Sequence, residues 1–404
     1  MLAKFNSMPQ RICRVQQAIA SCVLHAPATN FFVILFLSIM GSLPLTGLAQ
    51  SKRMHLLIGT YTKKNSEGIY IYSFDKKTAE LKHESTIKGV SNPSYLAISP
   101  NNKFLYSVEE NSGAGKVSAF SFNAQTGAAT YLNSRPSGGD GPCYVSVSET
   151  GSDVFVGNYG GGSLSVLHVL PDGSLDSAAQ NIVHQGSSVN RERQDRPHVH
   201  SVVLSPDNHY LMVPDLGLDK VMIYRFDPAA NHPLTPAKPS NAEVKPGSGP
   251  RHLVFHPNGK FAYVTEEMAG SVATFSYANG VLKPIQSISM LPVGFKGQIG
   301  AADLHISPDG KFLYASNRGD ANEILIYSIQ PGTGMLKWIG RQSTFGKAPR
   351  NFAIDPTGNF LLVANQNSDN IFVFKRDMRT GLLTLTKSKL EVDSPVCLKF
   401  VESD

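Results

Sequence analysis

Charge blocks, low-complexity tracts and long amphipathic stretches are all missing from this 404-residue chain. Thirty-seven Lys and Arg against 31 Asp and Glu leave a formal charge of +6. Lys4, Arg11 and Arg14 supply three of these within an acid-free leader, so about 6 − 3 = 3 remains, too little to argue for nucleic acid. Of four cysteines, Cys13 and Cys22 fall in the leader and only Cys143 and Cys397 lie beyond it. Neither His-Glu-x-x-His nor Cys-x-x-Cys occurs, so no metal and no cofactor is expected. There is no Gly-x-Ser-x-Gly elbow and no Cys–His pairing in a motif, which disfavours a covalent mechanism.

What the chain does have is one repeated turn. It reads Ser99-Pro-Asn-Asn102, Ser148-Glu-Thr-Gly151, Ser205-Pro-Asp-Asn208, His256-Pro-Asn-Gly259, Ser307-Pro-Asp-Gly310 and Asp355-Pro-Thr-Gly358. The second residues, Pro100, Glu149, Pro206, Pro257, Pro308 and Pro356, are spaced 49, 57, 51, 51 and 48 apart. Pro pre-sets the first turn position, and Asn or Gly tolerates positive φ at its end. A short apolar strand precedes each turn, an aromatic-rich strand follows it, and an alternating strand and a fourth strand complete the unit. Four short strands bounded by Gly, Pro, Asn or Asp make one antiparallel blade, and a period of this size marks a β-propeller. Blades bury surface against their neighbours, so the length need not imply separate domains.

The two ends are out of phase. The fold begins near His55-Leu-Leu-Ile-Gly-Thr60, which matches a second strand, and finishes with Pro395–Val401, which matches a first. Pairing them completes a seventh blade and leaves no open edge. The expected fold is therefore all-β: a seven-bladed propeller over residues 50–404, closed by its C-terminal strand. Cys143 and Cys397 then sit on non-neighbouring blades, beyond disulfide reach, as buried free thiols. Residues 1–49 read as a secretory signal peptide, with an apolar core at Phe31–Met40 and small residues at Gly47-Leu-Ala49. This implies a periplasmic or secreted protein with no stable membrane insertion after cleavage. The long stretch before the core leaves open retention as an anchor, or a later start and a cytoplasmic protein.

In an up-and-down blade the start of the first strand and the end of the second lie on one face, away from the repeated turns. Six residues before each turn anchor stand Ser94, Cys143, His200, Arg251, Ala302 and Arg350. Nine and ten after it stand Glu109-Glu110, Asn158-Tyr159, Asp215-Leu216, Glu266-Glu267, Asn317-Arg318 and Asn365-Gln366, with Thr60-Tyr61 in the shared blade. One mouth thus gathers carboxylates, arginines and histidines where plain strands would be apolar. Position nine carries a carboxylate or Asn in every full copy, as a strand cap would. Position ten varies, as a functional position would, which singles out Glu267 and Arg318. His252, His256 and His305 read as satisfied core residues. The longest insertion, Gln185–Arg196, bears Arg191, Arg193 and Arg196 and lies over the same mouth, either as a lid or as a solvated basic loop.

These residues resemble the seven-bladed propeller lactonases of the bacterial 6-phosphogluconolactonase type, relatives of the fungal carboxy-muconate lactonizing enzyme. The resemblance covers roughly residues 55–404. It rests on Ile58-Gly-Thr-Tyr61, Pro197-His-Val-His200, Gly249-Pro-Arg-His-Leu-Val-Phe-His-Pro257, Ala301-Ala-Asp-Leu-His-Ile-Ser-Pro-Asp-Gly310 and Pro349-Arg350. It implies catalytic places for His198, Arg251, Glu267 and Arg318; the turn count favours His200 over His198, and both stand. Substrate contacts are expected from Arg350, Glu110, Tyr61, Asn158 and Asp303.

The implied reaction is hydrolysis of a sugar-derived lactone. A Glu or His would activate water, and arginines would meet the oxyanion or an anionic handle. An exported enzyme would not meet cytosolic 6-phosphogluconolactone, which points to an unphosphorylated relative. Two alternatives stand: a non-enzymatic propeller binding a sugar, peptide or protein, and an intramolecular lactonizing enzyme. Mouth residues paired off with one another would favour the binding module; an unpaired Glu facing two arginines would favour the enzyme. Oligomeric state is not legible.

Overall fold

The repeated turns form as their chemistry requires. In each of the six, the fourth residue's N–H donates to the first residue's carbonyl, at 2.8 or 2.9 Å. That fourth residue is Asn102, Gly151, Asn208, Gly259, Gly310 or Gly358, and all six adopt φ between 56° and 76°. Between turns the chain runs as strands. The computed structural model describes residues 53–403 apart from 114. The expected leader, with Cys13 and Cys22, lies outside the described residues.

Twenty-eight strands make seven four-stranded antiparallel sheets, the expected propeller. Among the described residues there is no helix, and so none long and apolar enough to cross a membrane. Blades are numbered here from the shared one, which joins Pro395–Glu402 to Met54–Thr60, Gly68–Phe74 and Leu81–Lys88. Its closing register pairs His55 with Val401 and Ile58 with Leu398. Arg53 and Ser403 exchange hydrogen bonds at 2.8 Å in both directions beyond that ladder.

The apolar core lies between blades rather than at one centre. Phe312, Tyr314, Phe352 and Phe374, for example, form one buried cluster from blades six and seven. The aromatic second strand has a recurring task in it. Tyr106, Tyr263 and Tyr314 each donate a hydroxyl to a glycine carbonyl in the following blade: Gly173 at 3.1 Å, Gly334 at 2.8 Å and Gly381 at 2.7 Å. All three glycines have positive φ and sit against the phenyl ring that opens the same second strand. Cys143 and Cys397 are buried and unpaired with each other, as expected.

Blade four departs from the repeat. Its regular first strand is only Val203–Leu204, and the Pro197–Val202 stretch expected to begin it runs outside the ladder but for a bridge from Val199 to Asp215. The cause lies in the neighbouring strand. Pro214 has no N–H to return, so it only accepts from His200, and the His198 N–H turns to the Asp215 carboxylate at 2.8 Å.

Candidate active site

Mouth-facing side chains come from the two places the repeat specifies, but a local irregularity aims them. First strands carry a β-bulge where they start, between Pro142 and Tyr144, Pro250 and Leu253, Ala301 and Leu304, and Pro349 and Asn351. The residues thrown out of register are Cys143, Arg251 with His252, Ala302 with Asp303, and Arg350. A bulge re-aims a side chain without ending the strand.

Glu267, one residue past the second strand of blade five, is the centre of the site. Its carboxylate is about 10% exposed and takes three guanidinium groups. Arg193 Nη2 donates to Oε1 at 2.8 Å; Arg318 Nη2 reaches Oε2 at 2.9 Å, and Arg251 Nε lies 3.1 Å from the same oxygen. His200 Nε2 stands 4.0 Å from Oε2. Burial alone would raise the Glu267 carboxyl, but Arg318, then Arg251 and Arg193, hold it down at about 2. It is therefore charged throughout the neutral range.

The cations around it are not all satisfied. Arg251 is 2% exposed and donates Nη1 to the Ala302 carbonyl at 2.8 Å. Its Nε contact with Glu267 is an ion pair out of hydrogen-bond alignment, which leaves a buried N–H without a partner. Burial first, then the like charges of Arg318 and Arg350, bring Arg251 down to about 10. It stays a cation at neutral pH, in a place that disfavours cations. Arg350 lies 5.6 Å from the Tyr61 ring centre and makes no hydrogen bond or ion pair among the described residues. Tyr61 donates its hydroxyl to Glu110 at 3.0 Å, and Ser94 donates to the same carboxylate oxygen.

The two histidines separate. His200 touches the cluster, and burial, then Arg251, keep its ring neutral by lowering its pKa well below the usual value. His198 makes no contact with Glu267, Arg251 or Arg318. It stacks on Tyr159 at 4.4 Å, and its Nδ1 lies 2.9 Å from the Tyr159 carbonyl. A carbonyl only accepts, so Nδ1 donates a proton to it, while Nε2 lies 3.8 Å from the Asp195 carboxylate.

Two expected substrate contacts are otherwise engaged. Asn158 is fully buried and donates its amide to the Ser137 carbonyl, in the connection from blade two, and to the Ser163 hydroxyl of blade three, both at 3.1 Å. It belongs with the other position-nine caps: Glu109 accepts from Ser118, and Glu266 from Ser271 and Ser287. Asp303 is buried beneath the cluster, bridging His252 at 2.8 Å and His305 at 2.9 Å. It also accepts from Asn351. Both residues are placed to shape the site rather than to face a ligand. No group of three or more His, Cys, Asp or Glu among the described residues is arranged to hold a metal.

Two site residues escaped the candidate set: Tyr159, whose ring meets both His198 and His200, and Arg193. Tyr159 stood at the variable position ten, and Arg193 in the basic insertion, so the signals existed but did not rank them. Glu267 faces arginines as expected, yet it is paired with them, the mark set for a binding module. Comparison with known proteins decides between the classes. The profile of the family described as "Lactonase, 7-bladed beta-propeller" matches residues 55–400.

The chain belongs to that lactonase family.

It is 39% identical over 348 residues to a 6-phosphogluconolactonase of Formosa agariphila, covering 85% of this chain and 98% of the relative. A 6-phosphogluconolactonase of Bacillus subtilis is 37% identical over 346 residues, covering 85% and 97%. Among solved structures, the periplasmic gluconolactonase of Pseudomonas aeruginosa superposes with a TM-score of 0.83 at 42% identity, over 86% of this chain and 99% of that one. The lactonase family places this propeller among the carboxylic-ester hydrolases.

Proposed function

We propose that this lactonase hydrolyses a sugar-derived lactone, 6-phosphogluconolactone-like in its ring, to the open aldonic acid. The observation that carries the reading is the pair of guanidinium groups, Arg251 and Arg318, gathered on one oxygen of Glu267, a carboxylate that never needs deprotonating. A carbonyl oxygen seated against these guanidinium groups gains a charged donor just as it becomes an oxyanion, and one such donor is worth roughly 3 kcal/mol. Water adds to the carbonyl carbon while Glu267 takes its proton. The ring C–O bond then breaks, the departing alkoxide recovers that proton, and the product acid ionises to solvent. Arg318 and Arg350 receive the new carboxylate. His200, neutral and buried, stands 4.0 Å behind Glu267 Oε2, and His198, stacked on Tyr159, walls the mouth.

We also propose that residues 1–49 direct export. The apolar core at Phe31–Met40 supports this, as does the likeness to the periplasmic gluconolactonase of Pseudomonas aeruginosa. The deciding experiment assays the purified protein on a panel of phosphorylated and unphosphorylated aldonolactones, corrected for spontaneous opening. Turnover of at least one δ-lactone well above background is expected. No turnover of any lactone would leave the site a binding module.

A further inference from the structure

Four guanidinium groups surround or face Glu267, and they are not equivalent. Arg251 and Arg318 come from blade strands and their ends and share Oε2. Arg350 lies over the Tyr61 ring and makes no hydrogen bond or ion pair among the described residues. Arg193 alone comes from the insertion before blade four, and its side chain is 45% exposed. It also covers Oε1, the oxygen the other two leave free, and touches the Tyr159 hydroxyl at 3.3 Å.

The backbone under Arg193 is fixed. Asn190 Oδ1 accepts the Arg193 N–H at 3.1 Å, and Gln194, fully buried, donates Nε2 to the Leu216 carbonyl at 2.9 Å. Ser188 donates to Asp219 at 2.6 Å. The insertion is thus a pinned rim, and only the long side chain is free to swing. A lactone that brings water to Oε1 needs the place Arg193 occupies. The displaced guanidinium then goes to water, or to an anion on the substrate. An ion pair with one partner nearly half in water exchanges readily, and a phosphate or carboxylate offers the same planar fork a bidentate seat.

Resting on the reading of Glu267 as base, we infer that Arg193 is the specificity-determining residue of this lactonase, a side chain that leaves Glu267 on each turnover and pairs with an exocyclic anion of the substrate. Against a lactone without such an anion it acts only as a competitor for the base. The same substitution therefore has opposite effects on the two substrate classes.

The test compares wild type, Arg193→Gln and Glu267→Gln on three probes: neutral δ-gluconolactone, 6-phosphoglucono-δ-lactone and a glucaric-acid monolactone. Arg193→Gln is expected to raise kcat/KM for the neutral lactone several-fold. It should lower it about tenfold for at least one anionic lactone, mainly through KM, and which one falls identifies the anion. Arg193→Lys, which keeps charge but not the fork, should fall between. If Arg193→Gln moves all three lactones in one direction, or moves none, the inference is wrong while the base assignment stands, provided Glu267→Gln is inactive. If Glu267→Gln retains wild-type rates, the base assignment and the inference fall together.

Discussion

Replacing Glu267 by Gln keeps the shape of the side chain and removes the charge that three arginines share. A carboxyl at about 2 against an ordinary 4.5 corresponds to roughly 3 kcal/mol in favour of the charged, folded form. The folded value is depressed, so this contribution is complete above about pH 4.5 and fades as pH falls toward 2. At pH 7 the variant loses it, and the crowded cations lose their counter-charge as well. Unfolding entropy of about 2.1 cal/mol/K per residue over roughly 350 residues converts 3 kcal/mol into a fall in Tm of about 4 °C. At pH 3 the gap between the proteins should narrow. Catalysis should suffer more, because removing a general base costs roughly 10²–10⁴-fold. Thermal scans at pH 7 and pH 3, beside initial rates on a responsive lactone, read both effects. A variant as active as wild type with a 4 °C lower Tm would mean that Glu267 only neutralises the arginines. One more stable than wild type would refute the electrostatic account.

Arg251→Ala is expected to cost kcat about 10²-fold or more, and a loss confined to KM would move Arg251 from the oxyanion to substrate holding. Gly334→Ala should destabilise by about 2 kcal/mol or more, because φ is +70° and a Cβ would lie 2.5 Å from the Phe261 ring. Gly332→Ala, at φ +83° with nothing within 4 Å, should cost only the backbone strain, so equal Tm shifts would contradict the packing argument. His200 and His252 are both held neutral by burial first and Arg251 next, His252 down to about 3. The unfolded chain therefore takes up their protons first, and stability should be full above pH 6.5 and decline toward pH 3; a Tm that stays level from pH 7 to pH 5 would show that these rings take up protons as readily in the fold as in the unfolded chain.

The sequence by itself determined the architecture, because turn chemistry and strand alternation act within a few residues and repeat. The six Ser-Pro-Asp-Gly-like turns specified the blades, and the out-of-phase ends at His55 and Pro395 specified the closing strand, since an open edge is the costly alternative. Counting from those turns also put Arg251, Glu267 and Arg318 at one mouth, and separated the position-nine caps from the variable position ten. Only the tertiary structure decided which of these residues meet. The bulges at the first-strand starts aim Arg251 and Arg350 without any local signature. Pro214 and Asp215 pull the His198–His200 stretch out of its ladder, so one histidine reaches Glu267 and the other stacks on Tyr159. Asn158 matched a position in the repeat and Asp303 stood beside one, but the Asn158 amide nitrogen and the Asp303 carboxylate found partners inside the protein. Arg193 arrives from an insertion that the repeat count registers only as extra length, with no sign of which of its arginines reaches Glu267. Such pairings depend on distances between residues dozens of positions apart, and charge distribution around Glu267 exists only once the ring has closed.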